Sequence, residues 1–109
     1  MKNDKVLSML GLSRKAGKVD SGEFAVENAV KSHKAFLVII AEDASANTEK
    51  KFADMCSFRH IEAVRYADKD RLGAAIGCGP RAVVSIRDSG FAASIRKLIG
   101  EDKFITGKN

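Results

Sequence analysis

The chain has 109 residues, 45% of them hydrophobic and only one a proline, with 19 Lys and Arg against 14 Asp and Glu. That length supports one domain with a core and excludes two domains with separate cores. The longest apolar run, residues 35–41, is too short to span a membrane, and residues 1–5 open no secretory leader, so a cytoplasmic protein without membrane contact is expected.

Residues 2–15 read as a helix with Val6, Leu7 and Leu10 on one face, stopped by Gly17. Residues 18–20 form a short extended piece, and Ser21 is the expected N-cap of a second helix ending near residue 32. Residues 36–40 are apolar at every position, as in a strand covered on both faces. Ser45 or Asn47 then caps a helix with Thr48, Phe52, Met55 and Cys56 at core spacing, and residues 61–66 alternate like a strand. Asp68 caps a short helix with Leu72, Ala75 and Ile76 inward, followed by the tight loop Gly77-Cys78-Gly79-Pro80 and a last strand over 82–86. Asp88 or Ser89 caps a final helix with Phe91, Ile95, Leu98 and Ile99 inward, closed by Gly100. Residues 101–109 show no pattern and are expected to be a flexible tail after a single domain over 1–100. One helix and then four strands alternating with helices make an α/β domain, with crossovers long enough for parallel pairing and helices on both faces.

The positive charge is unevenly spread. Residues 1–34 carry seven basic and four acidic groups, 35–80 carry six and seven, and 81–109 carry six and three. A fold that brings the two chain ends together acquires a basic face, which points to polyanionic partners. Dispersed surface lysines would explain the same total.

The sequence holds no defensible catalytic constellation. In the 11–18 stretch five residues, not four, separate Gly11 from Gly17-Lys18, and Val19 stands where a phosphate loop needs Ser or Thr. Gly73, Gly77 and Gly79 have the wrong spacing for a dinucleotide fingerprint. Cys56, His60 and Cys78 lack a fourth zinc ligand and paired spacings, so both cysteines read as reduced thiols, and no metal or cofactor is expected. His33 and His60 have no partner for acid–base work.

Two stretches point instead to binding. On the second helix Ala25, Val26, Ala29 and Val30 share one face, and Phe24, Glu27, Asn28 and Lys31 the other. Phe24 therefore falls on the polar side of the first turn, where a base or phosphate can dock, unless it folds back onto a neighbouring loop. The loop from Gly77 to Arg81 has a glycine- and proline-shaped backbone and one guanidinium, consistent either with a protruding contact loop or with a plain turn into a buried strand.

Several motifs carry a family resemblance over about residues 4–99. They are the run from Leu10 to Lys18, Ser21-Gly22-Glu23, the run from Ala35 to Asp43, the turn Glu42-Asp43-Ala44-Ser45 with Asn47-Thr48, and Asp88-Ser89-Gly90-Phe91-Ala92. Together they resemble the kink-turn-binding ribosomal protein superfamily, of the large-subunit seven-Ae and thirty-e type, and most closely its small bacterial ribosomal-protein-like members. The resemblance implies a three-layer α/β/α sandwich around a mixed four-stranded sheet. It also implies that the second helix enters the major groove of a sharply bent RNA against sheared G·A pairs, and that the loop before the last strand holds an extruded base. The family pattern Gly-x-Asn-Glu-x-x-Lys matches here only at Gly22, because Phe24, Ala25 and Asn28 occupy the Asn, Glu and Lys positions. Those three side chains normally read base edges and neutralise phosphate, so weaker or different base selectivity is expected.

The expected RNA-binding set is Arg14, Lys15, Lys18, Ser21, Gly22, Glu23, Phe24, Asn28, Lys31, Glu42, Ile76, Gly77, Cys78, Gly79, Pro80 and Arg81. The expected function is binding of kink-turn-like RNA as a ribosome-associated or ribosomal-protein-like accessory factor rather than an enzyme. The alternative is a protein-interaction module on the same scaffold.

Overall fold

The computed structural model describes residues 4–106. Along the chain lie α1 Lys5–Lys15, β1 Val19–Ser21, α2 Glu23–Lys31, β2 Leu37–Ile40, α3 Ala46–Phe58, β3 Glu62–Arg65, α4 Lys69–Ala75, β4 Val83–Ile86 and α5 Ser89–Leu98. A 3-10 turn at Glu101–Lys103 then leads into β5 Phe104–Thr106. The strands form one sheet in the order β1-β4-β2-β3-β5. β2 and β3 pair in parallel, whereas β4 runs antiparallel to β1 and β2, and β5 runs antiparallel to β3.

The side-chain period of two divides the core into two layers. Leu37 and Ile39 of β2 meet Val64, Val84 and Ile86 under α1, α4 and α5, whose Val6, Leu10, Leu72, Ala92 and Ile95 fill that side. Val38 and Ile40 meet Ala63 and Val83 on the opposite side, under Val26, Ala29 and Val30 of α2 and Phe52 and Cys56 of α3. Both faces of β2 are covered, which explains its unbroken apolar run. Asp4, Ser45, Asp68 and Asp88 cap α1, α3, α4 and α5 by accepting first-turn backbone N–H groups. Gly17 ends the α1 turn with φ of +74°, and the part of the first helix expected over residues 2–3 lies outside the described residues.

Four expectations need correction. The sheet has five strands among the described residues, not four, because residues 101–106 fold back onto it and are not a flexible tail. Phe104 packs into the first core layer and Ile105 against the second, while the backbone pairs with Ala63 and Val64. One alternating apolar pair is too short to form a pattern on its own, and residues 107–109 lie outside the described residues. Ser21 does not cap α2; the β1–β4 ladder holds it opposite Val84, and Gly22 takes the cap position with φ of +88°. Leu98 is exposed rather than inward, and Ala92 takes the core position on α5 instead. Phe36 precedes β2 and is half-exposed, although its N–H donates to Ile86 O.

Candidate nucleic-acid interface

Strand direction decides which loops meet. β1, β2 and β3 point the same way, so Gly22, the turn after β2 and the turn after β3 lie at one end of the sandwich. β4 starts at that end, which brings the 77–81 loop there too. The two stretches singled out in the sequence are therefore neighbours, although about sixty positions separate Ser21 from Arg81 in the chain. The Gly22 N–H donates to Val83 O at 3.0 Å, and Arg81 Nε donates to Ser21 Oγ at 3.3 Å.

Of the five α-helices among the described residues, α2 alone lacks a side-chain cap. Its first-turn N–H groups at Glu23, Phe24 and Ala25 face outward with the positive end of the helix dipole behind them. Gly22 adopts a backbone conformation that L side chains rarely reach, and a Cβ there would meet nothing within 4 Å. The approach to those amides is thus open. Phe24 is 81% exposed, so its ring does not fold back onto a loop. Phe24, Ala25, Asn28, Ala29, Ser32 and Lys34 line a groove of about 240 Å³ between α2 and the sheet edge, with Asp20 and Arg87 across from them, so it runs along α2 from its start towards its far end.

The 77–81 loop is held by backbone contacts. The Cys78 N–H donates to Gly73 O at 2.8 Å, and the Arg81 N–H donates to Lys69 O at 3.0 Å. A Cβ on Gly73 would lie 1.9 Å from Gly79 O, so only glycine lets α4 approach the loop this closely. Arg81 Nη1 donates to the Gly79 and Pro80 carbonyls, which makes this guanidinium a clasp on the loop as well as its positive charge. Ile76 is buried beneath the loop, Cys78 is half-buried, and Gly77, Gly79 and Pro80 are exposed.

Neighbouring groups engage three carboxylates at this end, those of Glu23, Glu42 and Asp43. Glu23 accepts from Thr48 Oγ1 at 3.1 Å, which ties the start of α2 to the start of α3. Glu42 pairs with Lys103 at 3.0 Å, and Asp43 accepts the Lys69 N–H at 2.9 Å. Lys31, expected in the same set, closes α2 at its far end and pairs with Glu27 at 2.7 Å, and Lys51 reaches the same carboxylate at 2.9 Å. The Lys31 and Lys51 ammonium groups bonded to Glu27 pull its carboxyl down to about 2.

Arg14, Lys15 and Lys18 are exposed but stand elsewhere. Lys18 lies before β1 and Gly22 after it, four residues or roughly 13 Å apart at extended spacing. These three cations do not join the α2 start and the 77–81 loop. Cys56 and Cys78 also stay apart: Cys56 is in the core layer under α2 and α3, and Cys78 packs against the other layer. Burial pushes the Cys56 thiol up to about 12.

Sequence reasoning missed Gly73, Thr48, Asp43 and Lys103. Gly73 left a signal, a glycine inside a helix, which costs stability unless close packing requires it. Asp43 and Thr48 stood in the turn motif and Thr48 read as a core position, but Thr48 lies in neither core layer and the bonds that both make across the chain left no local signal, nor did that of Lys103.

A sequence model of the ribosomal protein L7Ae/L30e/S12e/Gadd45 family matches residues 4–95. RNA-binding protein YlxQ of Bacillus subtilis is 38% identical over 91 residues, covering 84% of this chain and 91% of the relative. The large ribosomal subunit protein eL8 of Picrophilus torridus is 36% identical over 86 residues, covering 78% and 68%. Among solved structures, a Bacillus halodurans protein of unknown function superposes with a TM-score of 0.85 at 35% identity, covering 88% of this chain and 97% of that one. The Giardia lamblia 15.5kD RNA binding protein shares the fold, with a TM-score of 0.74 at 23% identity over 90% and 88% of the two chains. With its two-layered core, its uncapped second helix and the loop stitched beside it, the chain belongs to the ribosomal protein L7Ae/L30e/S12e/Gadd45 family.

Proposed function

We propose that this protein binds structured RNA of the kink-turn class, as a ribosome-associated accessory factor and without catalysis. The observation that carries this reading is the meeting of the open α2 N-terminus with the 77–81 loop, joined by the Arg81–Ser21 and Gly22–Val83 hydrogen bonds. Relatives named as RNA-binding proteins support it.

In this reading the RNA backbone approaches over Gly22, and first-turn amides of α2 meet its phosphate or base-edge acceptors. Phe24 offers a stacking face and Asn28 an exposed amide in place of charged or carboxylate readout. An extruded base rests on the 77–81 loop, against the Cys78, Gly79 and Pro80 surface. With Glu23 engaged to Thr48 and Lys31 to Glu27, selectivity comes from shape, stacking and backbone amides more than from side-chain charge.

A gel-shift titration tests this with a kink-turn RNA and a plain duplex of equal length at moderate salt. The expected result is tighter binding of the kink-turn RNA. Equal affinity for both would overturn the claim that the bend is recognised.

A further inference from the structure

We propose that the end of the sandwich opposite the α2 N-terminus is a second RNA-contacting surface, which takes the phosphate backbone of a separate RNA segment. This rests on the reading of the chain as an RNA binder, and it adds a site to that reading.

The sheet directions assemble this end. Residues just before β1, β2 and β3, and just after β4, meet there, and α1, α2 and α3 all finish there. It therefore gathers Arg14, Lys15 and Lys18 from the first turn, Lys34 from the second, Arg59 from the third, and Arg87. Backbone bonds fix their places: the Lys18 N–H donates to Ser13 O at 3.0 Å, the Arg87 N–H to Lys18 O at 2.8 Å, and the Phe36 N–H to Ile86 O at 2.8 Å. Arg87 Nη2 also donates to Gly17 O at 3.2 Å.

The carboxylates at this end are Asp20, Glu62 and Asp88, and each is engaged. Asp20 pairs with Arg87 at 3.0 Å, Glu62 pairs with Arg96 at 2.9 Å, and Asp88 accepts the Phe91 N–H at 2.8 Å. Among the described residues Arg14, Lys15, Lys18, Lys34 and Arg59 have no ion-pair partner. Neutralising helix C-termini accounts for Arg14 and Lys15 in the last turn of α1 and for Arg59, the C-cap of α3, whose Nη1 donates to Met55 O at 3.4 Å. It does not account for Lys18 and Lys34, which lie beyond the helices.

Aromatic faces accompany the charge. Phe58 is 80% exposed with the Arg59 guanidinium 5.4 Å from its ring centroid, and Phe36 is 50% exposed. Cations outside ion pairs at the same end as open aromatic rings, one of them under a guanidinium, form a surface that tracks a nucleic-acid backbone and stacks unpaired bases. An acidic protein segment would use the charge but leave the rings without their matching partner.

The test uses the full chain saturated with unlabelled kink-turn RNA. A fluorescein-labelled 12-nucleotide single-stranded RNA without a kink-turn is then titrated in and followed by anisotropy. The labelled strand is expected to bind the preformed complex. Lys34→Glu with Arg59→Glu is expected to weaken that binding about tenfold. The slope of log affinity against log salt should fall by roughly 0.7 for each phosphate that is no longer neutralised. Phe58→Ala, at an exposed ring, is expected to weaken binding without changing the melting temperature. Displacement of the labelled strand by kink-turn RNA, or no effect of the double substitution, would overturn the proposal. Competition by poly-glutamate as strong as by RNA of equal charge would overturn the choice of RNA as the partner. If kink-turn RNA shows no preference over duplex while the double variant still loses single-strand binding, the proposed function fails and this surface stands.

Discussion

The two ends of the sandwich solve different problems with the same loops-on-strands construction. At the α2 end, carboxylates are bonded to Thr48, Lys103 and the Lys69 amide, one helix start is left uncapped, and a loop is clamped by Gly73 and Arg81. At the opposite end, five cations (Arg14, Lys15, Lys18, Lys34 and Arg59) have no ion-pair partner among the described residues, and two aromatic rings lie open. The first end offers shape and directed hydrogen bonds with two cations outside ion pairs among the described residues, Lys69 and Arg81; the second offers more charge. Net charge alone therefore does not locate a recognition site. A polyanion is attracted by one set of groups and read by another.

Substitutions on the first end should separate the roles of the two ends in graded steps. Gly73→Val should act most strongly, because its Cβ falls against the Gly79 carbonyl. Overpacking on backbone predicts a loss of about 3 kcal/mol in a denaturant melt, with displacement of the 77–81 loop. An unchanged melt would show that the loop is not clamped there. Phe24→Ala should leave stability within about 0.5 kcal/mol and lower kink-turn RNA affinity by about 1–3 kcal/mol if the ring stacks on a base. Affinity equal to that of the parent protein would remove Phe24 from the interface.

Cys78 reports on the α2 end by footprinting, with the buried Cys56 as the control for unfolding. Cys78 should react with iodoacetamide in the folded protein and be shielded by kink-turn RNA. Cys56, buried and with its thiol held protonated, should react only on unfolding. Shielding of Cys78 by single-stranded RNA but not by kink-turn RNA would reverse the assignment of the two ends.

A smaller effect is expected in acid stability. Burial raises the Asp4 carboxyl, but the Leu7 amide, the Tyr66 hydroxyl and Arg71 outweigh it, and the group sits below its ordinary value of 3.8. Its folded-state value is depressed, so its contribution is present above pH 3.8 and is lost as pH falls through the lower folded value. Asp4→Asn should therefore melt below the parent protein at pH 7, with the gap closing at strongly acid pH. A pH-independent gap would assign the loss to packing instead.

Much of this architecture was legible because local signals agreed with the global fold. Asp68 announced one helix start, Ser45 or Asn47 and Asp88 or Ser89 announced two more, and residues 36–40 announced a strand buried on both faces, which the structure forms over 37–40. Phe24 was legible by its place on the polar face, whereas the open helix start was not: Ser21 read as the cap, and only pairing with β4 takes it out of that position. The fifth strand was not legible, since a three-residue edge strand gains its stability from Val64 and the neighbouring layers rather than from its own pattern. Lys18 is close to Phe24 in sequence, yet one extended strand carries it to the other end. The clamp at Gly73 was visible only as a helix-interior glycine, because its reason lies in a loop that folds back from further along the chain.

The division of labour between the two ends can be read in backbone amide shifts as unlabelled kink-turn RNA is added to isotope-labelled protein. The largest changes are expected on residues 22–25, on Asn28 and on residues 76–82. Changes confined to residues 14–18, 34–36 and 58–60 would contradict the assignment, because the bent RNA would then be held by the charged end alone.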